Sequence, residues 1–130
     1  MTAFSTYCSA EKEIYEHPLP AIQRYRSARI RRIYLAAESA GTSFFILSGE
    51  YGLLKPTDTI PYYDHLLTDG EVEAHSLKVA EQISQHGITQ IIFFTLPVAA
   101  DQSLAAYHAC LRLACQRTAT QLSFVEINFA

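Results

Sequence analysis

Ile88-Thr89-Gln90-Ile91-Ile92-Phe93-Phe94-Thr95-Leu96 is built around the strongly apolar run Ile91–Phe94. A nearly continuous apolar strand of this kind belongs at the centre of a sheet, covered on both faces. Upstream, Val72, Ser76, Val79, Ala80 and Ile83 recur at helical spacing. They predict a helix that begins near Asp69, with Asp69 as its N-cap, and stops at Gly87. Downstream, Leu104, Tyr107, Leu111, Ala114 and Cys115 mark a helix over 100–118. Residues 122–129 then read as a last strand. Toward the N-terminus, 43–48 reads as a strand flanked by Gly41 and Gly49. A helix runs from about Pro20 to Ala40, or from a Ser27 cap, in which case Tyr25 and Arg26 lie just before it. Residues 3–9 form a first strand. The segment 49–68 shows no period and contains Pro56 and Pro61, so it reads as a long loop.

The resulting order is β-α-β-loop-α-β-α-β. It predicts an α/β fold: one three-layer domain over 1–130, with a mostly parallel four-stranded sheet and helices on both faces. Right-handed crossovers bring every strand's C-terminal end to one edge, where ligands bind in such sheets.

Composition agrees with one folded domain. The 130 residues are 49% hydrophobic and 18% charged, with seven Phe, eight Tyr and no Trp, which excludes a disordered chain. No apolar run approaches the ~20 residues of a membrane span. Met1–Phe4 shows no basic segment ahead of an apolar stretch, so no signal peptide is expected. Three cysteines without a C-x-x-C pair make a disulfide framework unexpected and point to the cytoplasm. The net charge of −3 is unevenly spread. Residues 1–55 hold seven Lys/Arg against five Asp/Glu, and residues 56–130 hold three against eight. A basic footprint for duplex DNA is therefore absent from the chain as a whole. A local anion site remains open.

At the predicted sheet edge lie two polar segments. The first is Cys8-Ser9-Ala10-Glu11-Lys12, where Lys12 can hold a phosphate or carboxylate as a point charge and Ser9 can donate its hydroxyl. Cys8 reads as a buried strand cysteine rather than as a nucleophile, since no His stands at a fixed spacing to it. The second segment runs from Ser48 to Asp64. Gly49 and Gly52 would let backbone N–H groups approach a ligand. Glu50 and Asp64 are the candidate general acid or base. The plainer reading is a packed turn, with Leu53, Leu54 and Ile60 in the core and both carboxylates solvated.

Arg24, Arg26, Arg29, Arg31 and Arg32 form a cluster. On a helix from Pro20, Arg24 and Arg31 point away from the apolar side, Arg26 falls within it and Arg29 flanks it. Arg24, Arg31 and Arg32 are expected to be solvated, and Arg26 and Arg29 are the anion candidates. The five histidines lack metal-ligand spacing, and no metal is expected. His108 reads as a packed, satisfied histidine. No Walker A loop, G-x-G-x-x-G or G-x-S-x-G is present.

The run from Phe45 to Asp64, Phe-Ile-Leu-Ser-Gly-Glu-Tyr-Gly-Leu-Leu-Lys-Pro-Thr-Asp-Thr-Ile-Pro-Tyr-Tyr-Asp, resembles the signature segment of the peroxide-stress protein YaaA family. It is closer still to a set of short relatives sharing Cys-Ser-x-x-Lys, "ILS-x-x-YGLL-x-P" and "PYD". Tyr25-Arg26-Ser27 resembles the family's segment before its first long helix. The resemblance covers residues 5–66, with Tyr62 as an extra residue in Pro61-Tyr62-Tyr63-Asp64. YaaA-type proteins resemble DNA-binding proteins through an additional helix-hairpin-helix segment. Only twelve residues separate Lys12 from Tyr25, so that segment is absent and DNA binding is not implied.

These readings combine into one leading expectation: a nucleotide, nucleobase or other phosphate-bearing ligand. It would sit among Ser9, Lys12, Arg26, the Ser48–Gly52 backbone and Asp64, with Tyr25, Tyr51 and Tyr63 beside it. Glu50 or Asp64 would serve glycosidic-bond or phosphate-ester chemistry, without an implied cofactor. The alternatives are a non-catalytic nucleic-acid-associated stress protein using Arg24, Arg29, Arg31 and Arg32, and an interaction or homo-oligomeric module.

Overall fold

Successive residues of Ser43–Ser48 are buried in opposite directions. Phe44 and Ile46 enter one core cluster, and Phe45 and Leu47 enter another. A strand produces this split because its side chains alternate between faces, and the whole molecule is built on it. The computed structural model describes residues 1–129. In chain order the elements are β1 (Thr2–Tyr7), β2 (Leu19–Pro20), the single-turn helix α1 (Ala21–Arg24), α2 (Ala28–Ala40), β3 (Ser43–Ser48), β4 (Gly52–Leu54), β5 (Thr59–Ile60), α3 (Val72–His86), β6 (Gln90–Thr95), α4 (Leu104–Thr118) and β7 (Gln121–Glu126). A 3₁₀ turn, Asp69–Glu71, leads into α3.

The main sheet has five strands in the order β4-β3-β1-β6-β7. β1 pairs in parallel with β3 and β6, and β6 pairs in parallel with β7. These are the four strands expected. The fifth corrects the reading of 49–68 as a loop: β4 folds back antiparallel on β3, with Ser48 opposite Gly52 and Ile46 opposite Leu54. β5 pairs with β2 in a separate two-stranded ribbon. Segments of three and two residues are too short to show a period.

The chain moves from β1 to β3 on one side, then crosses to β6 on the other. Right-handed connections in opposite directions place their helices on opposite faces. The two clusters reflect this. Ile30, Ile33 and Ala37 of α2 pack with Phe44 and Ile46. Val79 and Ile83 of α3, and Leu111 and Ala114 of α4, pack with Phe45, Leu47, Ile91 and Phe93. Leu53 enters the second cluster, and Leu54 and Ile60 the first, as the packed-turn reading expects. The edge where the order reverses is the usual place for a ligand. Among the described residues no helix is long and apolar enough to cross a membrane.

Helix ends follow local chemistry, with one correction. Ser27 caps α2, its Oγ accepting from Ile30 N at 3.2 Å. α2 stops at Gly41 and α3 at Gly87. The cap expected at Asp69 lies one residue earlier. Thr68 and Glu71 form a capping box there, each side chain holding the other's backbone N–H. All three cysteines are free, and Cys110 and Cys115 are buried in one core cluster, where burial pushes their thiols up to about 12 and about 11. His108 is buried against Thr95, 2.7 Å from its Oγ1, and burial holds it below its usual pKa.

Candidate functional site

The chain leaves β1 at Tyr7 and is fixed there by Arg29. Its guanidinium donates to Thr6 Oγ1 (2.7 Å), the Tyr7 carbonyl (2.8 Å) and the Cys8 carbonyl (3.1 Å), and lies 3.5 Å from the centre of the Tyr7 ring. Arg29 was an anion candidate, and its donors are largely used inside the fold. Beyond Cys8, the segment pairs with the residues that precede α2. Lys12 bridges to Tyr25, and Arg26 N donates to the Glu11 carbonyl at 2.9 Å. The two motifs Cys8–Lys12 and Tyr25–Ser27 thus form one local unit.

That pairing buries Lys12, which keeps 8% of its surface exposed. Its ammonium lies 4.5 Å above the Tyr63 ring and 5.9 Å from that of Tyr25. It makes one long bond, 3.4 Å, to the Ala10 carbonyl. Among the described residues no carboxylate comes within 4 Å of it. Burial lowers its pKa, opposed by Cys8 and Asp64.

Below Lys12 runs a chain of hydroxyls. Ser48 Oγ lies 2.8 Å from Tyr63 Oη, which lies 2.5 Å from Tyr25 Oη. Ser48 Oγ accepts from both Glu50 N (3.1 Å) and Tyr51 N (3.0 Å). With both lone pairs taken, its proton must point to Tyr63, and Tyr63 then donates to Tyr25. Burial pushes the pKa of both phenols upward. Tyr51 stacks edge-on against Tyr63, with centroids 5.2 Å apart.

A cavity of about 450 Å³ opens at this sheet edge. Ser9, Lys12, Arg26 and Asp64, all candidates from the sequence, line it together. So do Ser27 to Arg29 at the start of α2, whose first turn carries no acidic residue. Cys8, expected to be buried, is half-buried and also lines it, with Sγ 3.7 Å from Tyr107 Oη. Arg26 precedes the helix instead of falling on its apolar side. It is exposed, 3.7 Å from Glu13.

Glu50 and Gly49 line a different concavity of about 380 Å³. The tight turn after Ser48 sends Glu50 away from Lys12. There His65 is clamped between two carboxylates, bonded through Nδ1 to Glu50 and through Nε2 to Glu71 at 2.8 Å. The Glu50 bond and then the Glu71 bond raise the His65 pKa. His75, lowered by burial, faces the Ser48 carbonyl at 2.8 Å, and Lys78 donates to the Glu50 carbonyl at 3.1 Å. Gly49 is needed for packing: a Cβ there would lie 2.7 Å from Tyr107 Oη and 3.0 Å from Leu67 N. At Gly52, with φ +74°, a Cβ would strike the Gln82 amide. That amide is already bonded to Leu53 N (2.7 Å) and the Tyr51 carbonyl (2.9 Å).

Arg24 corrects the expectation of a solvated side chain. It is fully buried and donates to the carbonyls of Glu13 (2.6 Å), Tyr15 (2.8 Å), His17 (2.6 Å) and Ile60 (3.2 Å). The helix breaks at Tyr25, so the phase of α2 does not apply to it. Arg31 and Arg32 are exposed as expected. Residues that sequence reasoning passed over are Tyr7, His65, Asp101 and Tyr107, all at the cavity wall. For Asp101 the available signal was its place after a strand that ends on the same edge. Among the described residues no group of His, Cys, Asp or Glu is arranged to hold a metal.

No curated protein and no solved structure matches the chain. One family model does, over residues 6–121. That span takes in both strand-edge motifs, the Lys12 bridge and every residue lining the cavity. The chain belongs to DUF6884, a family of unknown function.

Proposed function

We propose that the chain binds a small phosphate-bearing ligand of nucleotide type in the cavity at the end of β1, with Lys12 as its anchor. One observation carries the reading: a buried ammonium with a single long hydrogen bond and no counter-ion among the described residues borders an open cavity. Isolated buried charge is unfavourable, and a bound anion offsets that cost. Two further kinds of donor face the same space. Ser9 carries a hydroxyl, and Ala28 and Arg29 carry first-turn N–H groups without intrahelical partners. Of the two acid–base candidates Asp64 lines the cavity and Glu50 does not, so Asp64 takes that role in any phosphate-ester or glycosidic chemistry. The resemblance to YaaA-type proteins supports the placement, since the residues that carry it, Cys8 to Lys12 and Tyr63-Asp64, converge here.

The test is melting temperature in the presence of inorganic phosphate, ribose 5-phosphate and nucleoside monophosphates. A ligand at 100 times its Kd stabilises by about 2.7 kcal/mol. We expect wild type to shift with at least one of these compounds and Lys12→Met to lose the shift. Absence of any shift in wild type, or an equal shift in the variant, rejects the reading.

A further inference from the structure

The cavity wall contributed by the β6–α4 connection carries a second feature. Asp101 stands there with one carboxylate oxygen fixed: Oδ1 accepts from Ser103 N at 3.1 Å and from Ser103 Oγ at 2.6 Å. Its other oxygen makes no hydrogen bond among the described residues. The carboxylate is thus oriented in advance, with acceptor capacity left at the cavity. Its charge reaches Tyr7 on the same wall. Burial chiefly, with Asp101 adding and Arg29 opposing, pushes the Tyr7 phenol up. Apart from His65, which is paired with Glu50 and Glu71, the charged side chains lining the cavity are balanced: Lys12, Arg26 and Arg29 against Glu11, Asp64 and Asp101. A plain dianion gains little net attraction from such a set. A ligand with an anion at one end and hydrogen-bond donors at the other matches it.

We infer that the ligand is two-ended, a phosphate held at Lys12 and a donor-bearing group, hydroxyls or an ammonium, read by the free oxygen of Asp101. This rests on the phosphate reading above. Asp101 acts as a specificity-determining residue, accepting hydrogen bonds from the ligand's second end. Asp64 belongs to the Lys12 end, since it directly follows Tyr63, whose ring lies 4.5 Å from the ammonium.

Titration calorimetry on wild type and Asp101→Asn, with inorganic phosphate, ribose 5-phosphate and phosphoethanolamine, tests this. Wild type should bind at least one of the two esters about tenfold more tightly than inorganic phosphate, as one hydrogen bond to a charged group gives. Asn retains Oδ1 for the Ser103 bonds, so α4 keeps its start and the melting temperature should hold. In Asp101→Asn the preferred ester should lose about tenfold, whereas inorganic phosphate holds or tightens because a negative charge has gone. Loss confined to ribose 5-phosphate identifies hydroxyls as the donors, and loss confined to phosphoethanolamine identifies an ammonium. Equal affinity of wild type for all three compounds, or esters unaffected by Asp101→Asn, overturns this inference and leaves the phosphate reading standing. If none of the three binds wild type, this inference falls, and the phosphate reading falls with it when nucleoside monophosphates also leave the melting temperature unchanged.

Discussion

Arg24 and Lys12 are two buried cations without a carboxylate partner among the described residues, and they are solved in opposite ways. Arg24 is held through its two terminal nitrogens by four backbone carbonyls drawn from the 13–17 segment and from β5, and only its Nε lacks a partner among the described residues. Lys12 has one long bond and an aromatic face. The difference lies in what each cation is next to. Arg24 is enclosed by chain that has no other hydrogen-bond partners to offer, so it acts as a fastener for an irregular loop. Lys12 borders a cavity, so its remaining N–H groups are directed to whatever enters. A buried charge is therefore informative only when its bonding is counted. By that count Arg24 is structural and Lys12 is available.

The largest effect that could break this contrast is on stability. Arg24→Met should cost about 3 kcal/mol, because four backbone carbonyls, three part-buried and that of Ile60 buried, lose a charged donor at once. Urea unfolding measures it, and a loss below about 1 kcal/mol would remove the fastener role. Next, Gly49→Ala should cost about 1–3 kcal/mol, since the new methyl meets the rigid Tyr107 phenol and the Leu67 and His65 backbone. This variant probes the wall between the two concavities. Lys12→Met should stay within about 1 kcal/mol of wild type: loss of the contact with Tyr63 is offset by relief of an uncompensated charge. Destabilisation as large as that of Arg24→Met would erase the distinction between the two cations.

The smallest expected effect comes from His65. A neutral imidazole has one N–H, so bonding Glu50 and Glu71 together calls for the imidazolium. Its folded pKa is raised above the ordinary value of about 6.5. The clamp is therefore fully present below about pH 6.5 and is lost as pH rises through the raised value. Glu71 is held below its ordinary pKa, first by the Thr68 backbone N–H and Thr68 hydroxyl and then by His65. Its contribution is lost only as pH falls through that lowered value. The melting difference between wild type and His65→Gln should thus be greatest at about pH 5–6.5 and shrink toward pH 8, with an amplitude of a few degrees. A difference independent of pH would show that the two carboxylates do not depend on the imidazolium.

Much of the frame was legible because it depends on long periodic segments. The apolar run around Phe93, the stripe through Val79 and Ile83, and the stops at Gly41 and Gly87 lead directly to the parallel strands and their helices. β4 was not legible, because Gly52-Leu53-Leu54 contains no period and is held by a serine turn and the Gln82 amide, a residue on another element. Arg24 was misplaced because one break at Tyr25 separates α1 from α2 and resets the helical phase. Four site candidates, Ser9, Lys12, Arg26 and Asp64, were brought together by topology alone, once strand ends were assigned to one edge. Glu50 was drawn in by its neighbours in sequence, yet adjacent residues in a tight turn point to different concavities. Asp101 looked like any polar loop residue, and only its bonds to Ser103 distinguish it.

The position of Lys12 above Tyr63 has an optical consequence. The chain contains no Trp and eight Tyr, so its intrinsic ultraviolet emission comes from phenols alone. Tyr63 carries an ammonium 4.5 Å from its ring centre and is hydrogen-bonded to Tyr25, so its light output responds to the charge directly overhead. If an anion binds as proposed and draws Lys12 toward itself, that output should change, which would let occupancy of the cavity be followed without a label.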